Sequence, residues 1–253
     1  MKTEQDVIDS LGHCVCGGHG FFRVDVSLGH PLFGKAIPCI CKVNDRAQEK
    51  AASLRRLSGI SEQAMTRWTF ESFHPEWCKI RDETKRTGAV AAMRQIKDEC
   101  QQWEVKGWRI LIGPYGSGKT HLAYAIAGSC LQSNLPVYAA LAPDMLGMLR
   151  SSFDTNTFDE CFDHLRNVEL LVIDDLATEH ATAWATEKLF QIVDHRYVND
   201  LPLVITTNVD IRNGGKRIEG RIVSRLLEGT ETEGGRSRLW ILPVSDFRMG
   251  KRR

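Results

Sequence analysis

The pattern of apolar and polar positions changes character at about Ile60. Between there and Gly107, Ile60-Ser61-Glu62 opens a short helix. Arg67 to Pro75 reads as an extended segment stopped by the proline. Residues 81–104 are polar and helix-prone, with Ala89, Ala92, Met93 and Ile96 at helical spacing. After Gly107 short apolar runs alternate with amphipathic stretches. Strands are predicted over 108–112, 137–141, 170–173, 203–206 and 239–242, and helices over 121–131, 143–153, 158–166, 183–198 and 218–227. In the longest helix Leu189, Ile192, Val193 and Arg196-Tyr197 follow i, i+3/i+4 and i+7 offsets. Strands alternating with helices predict an α/β fold with a mostly parallel sheet. The expected organisation is a cysteine-rich module over residues 1–58, a lead-in segment over 59–106 and an α/β domain over 107–253.

Composition narrows the class. The chain has 253 residues, 42% apolar and 26% charged, which suits a soluble globular protein with a real core. No apolar run approaches membrane-spanning length. The opening MKTEQDVIDS is polar and acidic, which predicts no secretory leader and a cytoplasmic location. Lys+Arg (33) and Asp+Glu (32) nearly cancel, excluding a uniformly basic DNA-coating protein. The balance is uneven, however: residues 1–60 carry +2, residues 61–211 carry −7 and residues 212–253 carry +6. A basic C-terminal segment can meet an anionic partner, or form a solvated face.

The chemistry begins at Gly113-Pro114-Tyr115-Gly116-Ser117-Gly118-Lys119-Thr120, with His121 starting the helix behind it. This fits G-x-x-x-x-G-K-[ST] directly after a strand and ahead of a helix, where backbone N–H groups and a helix N-terminus can cradle phosphates. Lys119 can reach the β- and γ-phosphates and Thr120 can bind Mg²⁺. About 55 residues later Leu170-Leu171-Val172-Ile173-Asp174-Asp175 supplies a buried strand ending in two carboxylates. Asp174 suits the Mg²⁺ side of the site, acting through a coordinated water, and Asp175 suits polarisation of an attacking water. Leu203-Val204-Ile205-Thr206-Thr207-Asn208 ends a third strand in a carboxamide that can hold that water or sense a γ-phosphate. Arg221 and Arg225 lie four apart on a predicted helix, sharing a face from which guanidinium groups can reach a phosphate on a neighbouring subunit.

Eight cysteines fall into two C-x-C pairs, Cys14/Cys16 and Cys39/Cys41, and four isolated residues, Cys78, Cys100, Cys130 and Cys161, which read as ordinary small residues. Four thiols in two pairs suit a structural Zn²⁺, with Gly17, Gly18 and Gly20 turning the backbone and Phe21, Phe22 and Val24 starting a covering strand. Usual zinc spacing is C-x-x-C, so His13 or His19 remains an alternative ligand. Free thiols and an Fe–S or redox role also remain open.

Taken in order, GPYGSGKT, LLVIDDLATE, LVITTN and GRIVSRLL resemble an AAA+ ATPase, and more narrowly the DnaC/DnaI-type helicase loaders and IstB transposition helpers. Trp68-Thr-Phe-Glu-Ser-Phe, Arg196-Tyr197 and Ser245-Asp-Phe-Arg248 resemble that subgroup too, as does the short tail after Arg225. The resemblance implies Walker A at Lys119 and Thr120, Walker B at Asp174 and Asp175, sensor 1 at Asn208 and an arginine finger acting in trans at Arg225. It implies a sensor-2-like part for Arg248. Many relatives carry Glu where Asp175 stands; the shorter acid implies slow hydrolysis or help from Glu179. The implied function is ATP-dependent loading of a replicative DNA helicase onto single-stranded DNA, with self-association through the ATP site and zinc in the N-terminal module. A transposition helper binding duplex DNA and a transposase is the alternative, and a P-loop small-molecule kinase the second.

Overall fold

The computed structural model describes residues 3–78, 80–176, 182–213, 218–230 and 238–243. The chain divides into two compact units, Met1–Ser53 and Leu54–Arg253. This boundary comes a few residues before the expected one near 58 and falls inside a helix.

The first unit holds α1 (Glu4–Asp9), strands β1 (Phe21–Phe22) and β2 (Ile37–Pro38), and most of α2 (Ile40–Leu57). Thr3 and Asp6 form a capping box on α1. β1 and β2 pair antiparallel, Phe21 with Pro38 and Phe22 with Ile37, so the strand expected from Phe21 is present but short. α2 is not among the helices predicted from sequence, although Ile40, Val43, Ala47, Ala51 and Leu54 follow helical spacing; none of its residues is fully buried.

The second unit opens with α3 (Glu62–Arg67), capped by Ser61 as expected. The extended segment predicted over 67–75 is instead folded on itself. Arg67 closes α3, Thr69 and Ser72 bond one another's backbone and side chains, and Pro75–Trp77 form a 3₁₀ turn. Short hydroxyl side chains supply local partners that compete with extended pairing. α4 (Glu83–Gln101) follows, capped by Asp82 and burying Ala89, Met93, Ile96 and Cys100.

The core is a five-stranded sheet built from β3 (Trp108–Ile112), β4 (Val137–Leu141), β5 (Leu170–Leu176), β6 (Leu203–Thr207) and β7 (Arg238–Ile241). Between them run α5 (Lys119–Gln132), α6 (Ala142–Ser151), α7 (Phe158–Asn167), α8 (Ala183–Val198), a 3₁₀ turn at Ile211–Asn213 and α9 (Gly220–Thr230). Every pairing is parallel, in the order β4-β5-β6-β3-β7. β3 and β6 are buried at every position, as expected of strands covered on both faces. Side chains alternate across the sheet with period two. Leu111, Val172, Val204 and Ala139 meet α4 and α5 on one face. Ile110, Ile112, Ile173 and Ile205 meet α6 to α9 on the other. Among the described residues, no helix is long and apolar enough to cross a membrane.

Candidate functional site: a nucleotide cradle and a cysteine cluster

Parallel strands bring the carboxyl ends of β3, β5 and β6 to one edge, where ligands of open α/β sheets bind. β6 lies between β3 and β5. With strands about 4.8 Å apart, Asn208 at the end of β6 therefore sits between the loop leaving β3 and the acids of β5.

The loop itself is shaped for backbone donors. Gly116 and Gly118 have φ of 74° and 94°, a region costly for other residues. A Cβ on Gly118 would come within 2.7 Å of the Phe73 ring, so the lead-in segment packs against the loop. Gly118 caps α5 without any side-chain hydrogen bond, leaving the first N–H groups of the helix for another acceptor. Ser117 Oγ and Asn208 Oδ1 are buried with no hydrogen-bond partner among the described residues. Lys119 is buried and its Nζ donates to the carbonyl oxygens of Gly113 (2.8 Å) and Pro114 (2.9 Å). Tyr115 is exposed. His121 points away from the loop, with Nε2 2.8 Å from Thr69 O and 3.1 Å from Ser72 Oγ. A triphosphate fits this donor set.

The acids are held more tightly than a strand-end loop would hold them. Rather than emerging after Ile173, both lie inside β5, at a bulge between Ile173 and Leu176 in its pairing with β6. Asp175 has φ of 52°, which Asp tolerates better than most non-glycine residues. Thr206, which the sequence reading passed over, explains the arrangement. Its hydroxyl donates to Asp174 Oδ1 and accepts from the Asp175 N–H at 2.8 Å. Thr120 Oγ1 donates to the same Asp174 oxygen at 3.0 Å, joining Walker A to Walker B. Burial pushes the Asp174 carboxyl above the usual range and the Asp175 charge adds to this, while the two threonine hydroxyls oppose it. Thr120 and Asp174 together can hold a hard dication.

Arg225 lies on α9 and is engaged within the chain. Its Nε donates to Asp194 Oδ1 at 2.6 Å, its Nη1 donates to Glu228 Oε2 at 2.8 Å, and its guanidinium lies 4.8 Å from the Tyr197 ring centre. Arg221 is likewise tied to Glu219 and Glu187. Glu179 and Arg248 lie outside the described residues.

The family model for IstB-like ATP binding proteins matches residues 82–223. The chain belongs to this ATP-binding family. Among the relatives of this IstB-like chain, protein YqaM of Bacillus subtilis is 30% identical over 175 residues, covering 65% of the chain and 53% of YqaM. The replicative helicase loader DnaC of Buchnera aphidicola is 28% identical over 188 residues, covering 72% of the chain and 73% of that protein. The chain thus spans about half of YqaM's length but more of the Buchnera loader. A crystal structure of the DnaC helicase loader superposes with a TM-score of 0.56 at 21% identity, covering 73% of this chain and all of that one. The last likeness establishes a shared fold.

The N-terminal unit of this IstB-like protein carries a second arrangement. The sulfurs of Cys14, Cys16, Cys39 and Cys41 all lie within 4.8 Å of one another. Cys14 and Cys16 sulfurs are 3.5 Å apart, Cys16 and Cys41 3.4 Å, and Cys14 and Cys39 3.8 Å. Tetrahedral zinc with Zn–S bonds of about 2.3 Å needs sulfurs roughly 3.8 Å apart, so the donor set fits. Neither His13 nor His19 belongs to the cluster. Gly17, Gly18 and Gly20 have φ of 60°, 93° and 77°, the turns expected of them. Desolvation opposes ionisation of Cys39, yet backbone donors led by the Val15 N–H hold its thiol down to about 6. Hydrogen bonding to Cys16 pushes Cys41 up to about 12. Four thiols this close cannot all ionise unaided, and a dication removes that conflict. Cys78, Cys100 and Cys130 are buried and Cys161 half-buried, consistent with packing roles.

Proposed function

We propose that this chain is an ATP-driven loader that delivers a replicative DNA helicase onto single-stranded DNA. The observation that carries the reading is the Thr120–Asp174–Thr206 link, which ties the phosphate loop to the acidic strand across the carboxyl edge of the sheet. Lys119 would exchange its Gly113 and Pro114 carbonyls for the β- and γ-phosphates. Gly113 to Thr120 would wrap the phosphates, with His121 bracing the loop against Thr69 and Ser72. Thr120 and Asp174 would hold Mg²⁺, whose charge offsets that of the phosphates. Asp175, held at the bulge, would orient the attacking water, and Asn208 would fix that water through its amide. Glu179 is the alternative water-activating acid, and Arg248 a candidate phosphate contact. Arg225 would complete the site of a neighbouring copy.

The cysteine module over residues 1–58 would carry Zn²⁺ and dock onto the helicase, and the basic residues at 212–225 and 248–253 would meet DNA phosphates. The family model carries the IstB name, while the DnaC relative supports the loader over a transposition helper. A pull-down retaining a transposase but not a helicase would favour the helper. A small-molecule kinase would need an arginine-rich lid closing over an acceptor, whereas Arg221 and Arg225 are tied to α8.

The test is helicase loading on protein-coated single-stranded DNA. Wild type should load and Lys119→Ala should not, with ATP turnover falling by about 10²-fold or more. Loading by wild type that Lys119→Ala matches would refute the reading.

A further inference from the structure

α8 carries the same device twice, seven residues apart: an acid followed three positions later by an aromatic ring. Glu187 and Phe190 hold Arg221, whose guanidinium lies 4.4 Å from the Phe190 ring centre. Asp194 and Tyr197 hold Arg225 in the same manner, with a 2.6 Å bond from Nε and a ring 4.8 Å away. Acid and ring lie one turn apart on one helix face, so a guanidinium can lie on the ring while one of its N–H groups meets the acid, Nη2 for Arg221 and Nε for Arg225. Both arginines come from α9, whose opposite side buries Ile222, Val223 and Leu226 against the core. That packing fixes how α9 sits along α8.

The bracket at Arg225 is directional. Nε and Nη1 are occupied, by Asp194 on α8 and Glu228 on α9 itself. Nη2 has no hydrogen-bond partner among the described residues. The Arg225 side chain is about one-third exposed (34%), so this open edge can face solvent. Glu228 is further held by the Ser224 hydroxyl at 2.9 Å. An unrestrained arginine loses rotamer freedom when it engages an anion; here that ordering is already in place.

We infer that Asp194, with the Tyr197 ring, is a positioning residue for Arg225, presenting the Nη2 edge to the triphosphate bound by a neighbouring copy. The inference rests on the trans role proposed for Arg225. Asp194 touches neither nucleotide nor water and acts only through the guanidinium.

Mixed assemblies test this. Asp175→Asn protein, first checked to bind ATP without cleaving it and combined with Glu179→Gln if cleavage persists, keeps an intact Arg225. Arg225→Ala protein keeps an intact cleavage site but lacks the guanidinium. Mixed, the two should recover turnover that neither shows alone, because one copy supplies what the other needs. Asp194→Asn added to the Asp175→Asn copy should lower the recovered rate by about tenfold, the effect of a slightly misplaced group. The same change added to the Arg225→Ala copy should leave the rate unchanged. Each double variant is first checked for wild-type melting temperature and ATP affinity. Equal losses in both placements would mean that Asp194 merely packs α8, and no loss in either would mean that Arg225 needs no bracket. Both results overturn the inference alone. A mixture that recovers no turnover removes the trans reading of Arg225 itself, and the inference with it.

Discussion

The two units of this chain reach order by different means. In Leu54–Arg253 order comes from burial: β3 and β6 are buried at every residue and two apolar layers cover the sheet. In Met1–Ser53 the buried apolar residues are Cys16, Leu32, Ile37 and Cys39, and two of these are cluster thiols. A module of this size has too little apolar interior to offset its chain entropy. A cross-link can replace the missing core, and the four clustered sulfurs are where one can form.

The largest expected effect follows from that contrast. Metal analysis should find about one zinc per chain. Chelation in reducing buffer should remove the order of residues 14–41 altogether, since structural zinc contributes on the order of 10–16 kcal/mol to such modules. The core should keep its melting temperature and its affinity for ATP. Amide exchange at Phe22, Ile37 and Cys39 reads the first part and calorimetry the second. Protection of those amides that survives chelation would break the comparison.

A next effect probes the core through its largest fully buried side chain. Arg196 is inaccessible, and its guanidinium donates to the carbonyl oxygens of Leu165 (3.2 Å), Arg166 (3.0 Å), Val168 (2.8 Å) and Pro202 (2.6 Å). It thereby ties α8 to the last turn of α7 and to the connections entering β5 and β6, although burial pushes its pKa down to about 9. Arg196→Met leaves several carbonyls unpaired and should cost about 3–5 kcal/mol. Thermal melting of the core should fall sharply while zinc content stays the same. A cost below about 1 kcal/mol would show that water replaces the guanidinium.

Much of this was legible in the sequence, for uneven reasons. β3, β4 and α8 follow from apolar runs and helical periodicity because their burial is strong. α2 was missed although Ile40, Val43, Ala47, Ala51 and Leu54 recur at helical offsets, because charged residues dominate the stretch and its apolar side is only part-buried. The segment at 67–75 misled because its Trp-Thr-Phe text looks like a strand while Thr69 and Ser72 satisfy the backbone locally. Lys119, Thr120 and Asp174 were readable because phosphate chemistry demands fixed residue types at fixed spacing. Thr206 was not, because its role depends on a bulge and a neighbouring strand. Asp194 and Tyr197 were not, because their meaning depends on which helix packs beside them.

The smallest effect is the sharpest test of the contrast, because here a metal locus costs stability. Asp174 is buried, and desolvation together with Asp175 raises its pKa above the ordinary carboxylate value. A raised folded pKa means that the native state binds the proton more tightly than the unfolded chain does. The resulting stabilisation is complete below the unfolded pKa and is lost as pH rises through the folded one. At neutral pH the ionised group is therefore a net cost. Asp174→Asn retains an oxygen that can accept from Thr120 and Thr206 but removes the charge. Without nucleotide, the variant should be more stable than wild type by about 1 kcal/mol at neutral pH, and the gain should shrink as pH falls toward the unfolded carboxylate range. Adding Mg²⁺ and ATP should reverse the order, because only wild type gains the full ligand-linked stabilisation. Chemical denaturation at two pH values, with and without Mg²⁺ and ATP, measures all of this. A variant less stable than wild type without ligand would mean that the two threonine hydrogen bonds outweigh the burial of the charge.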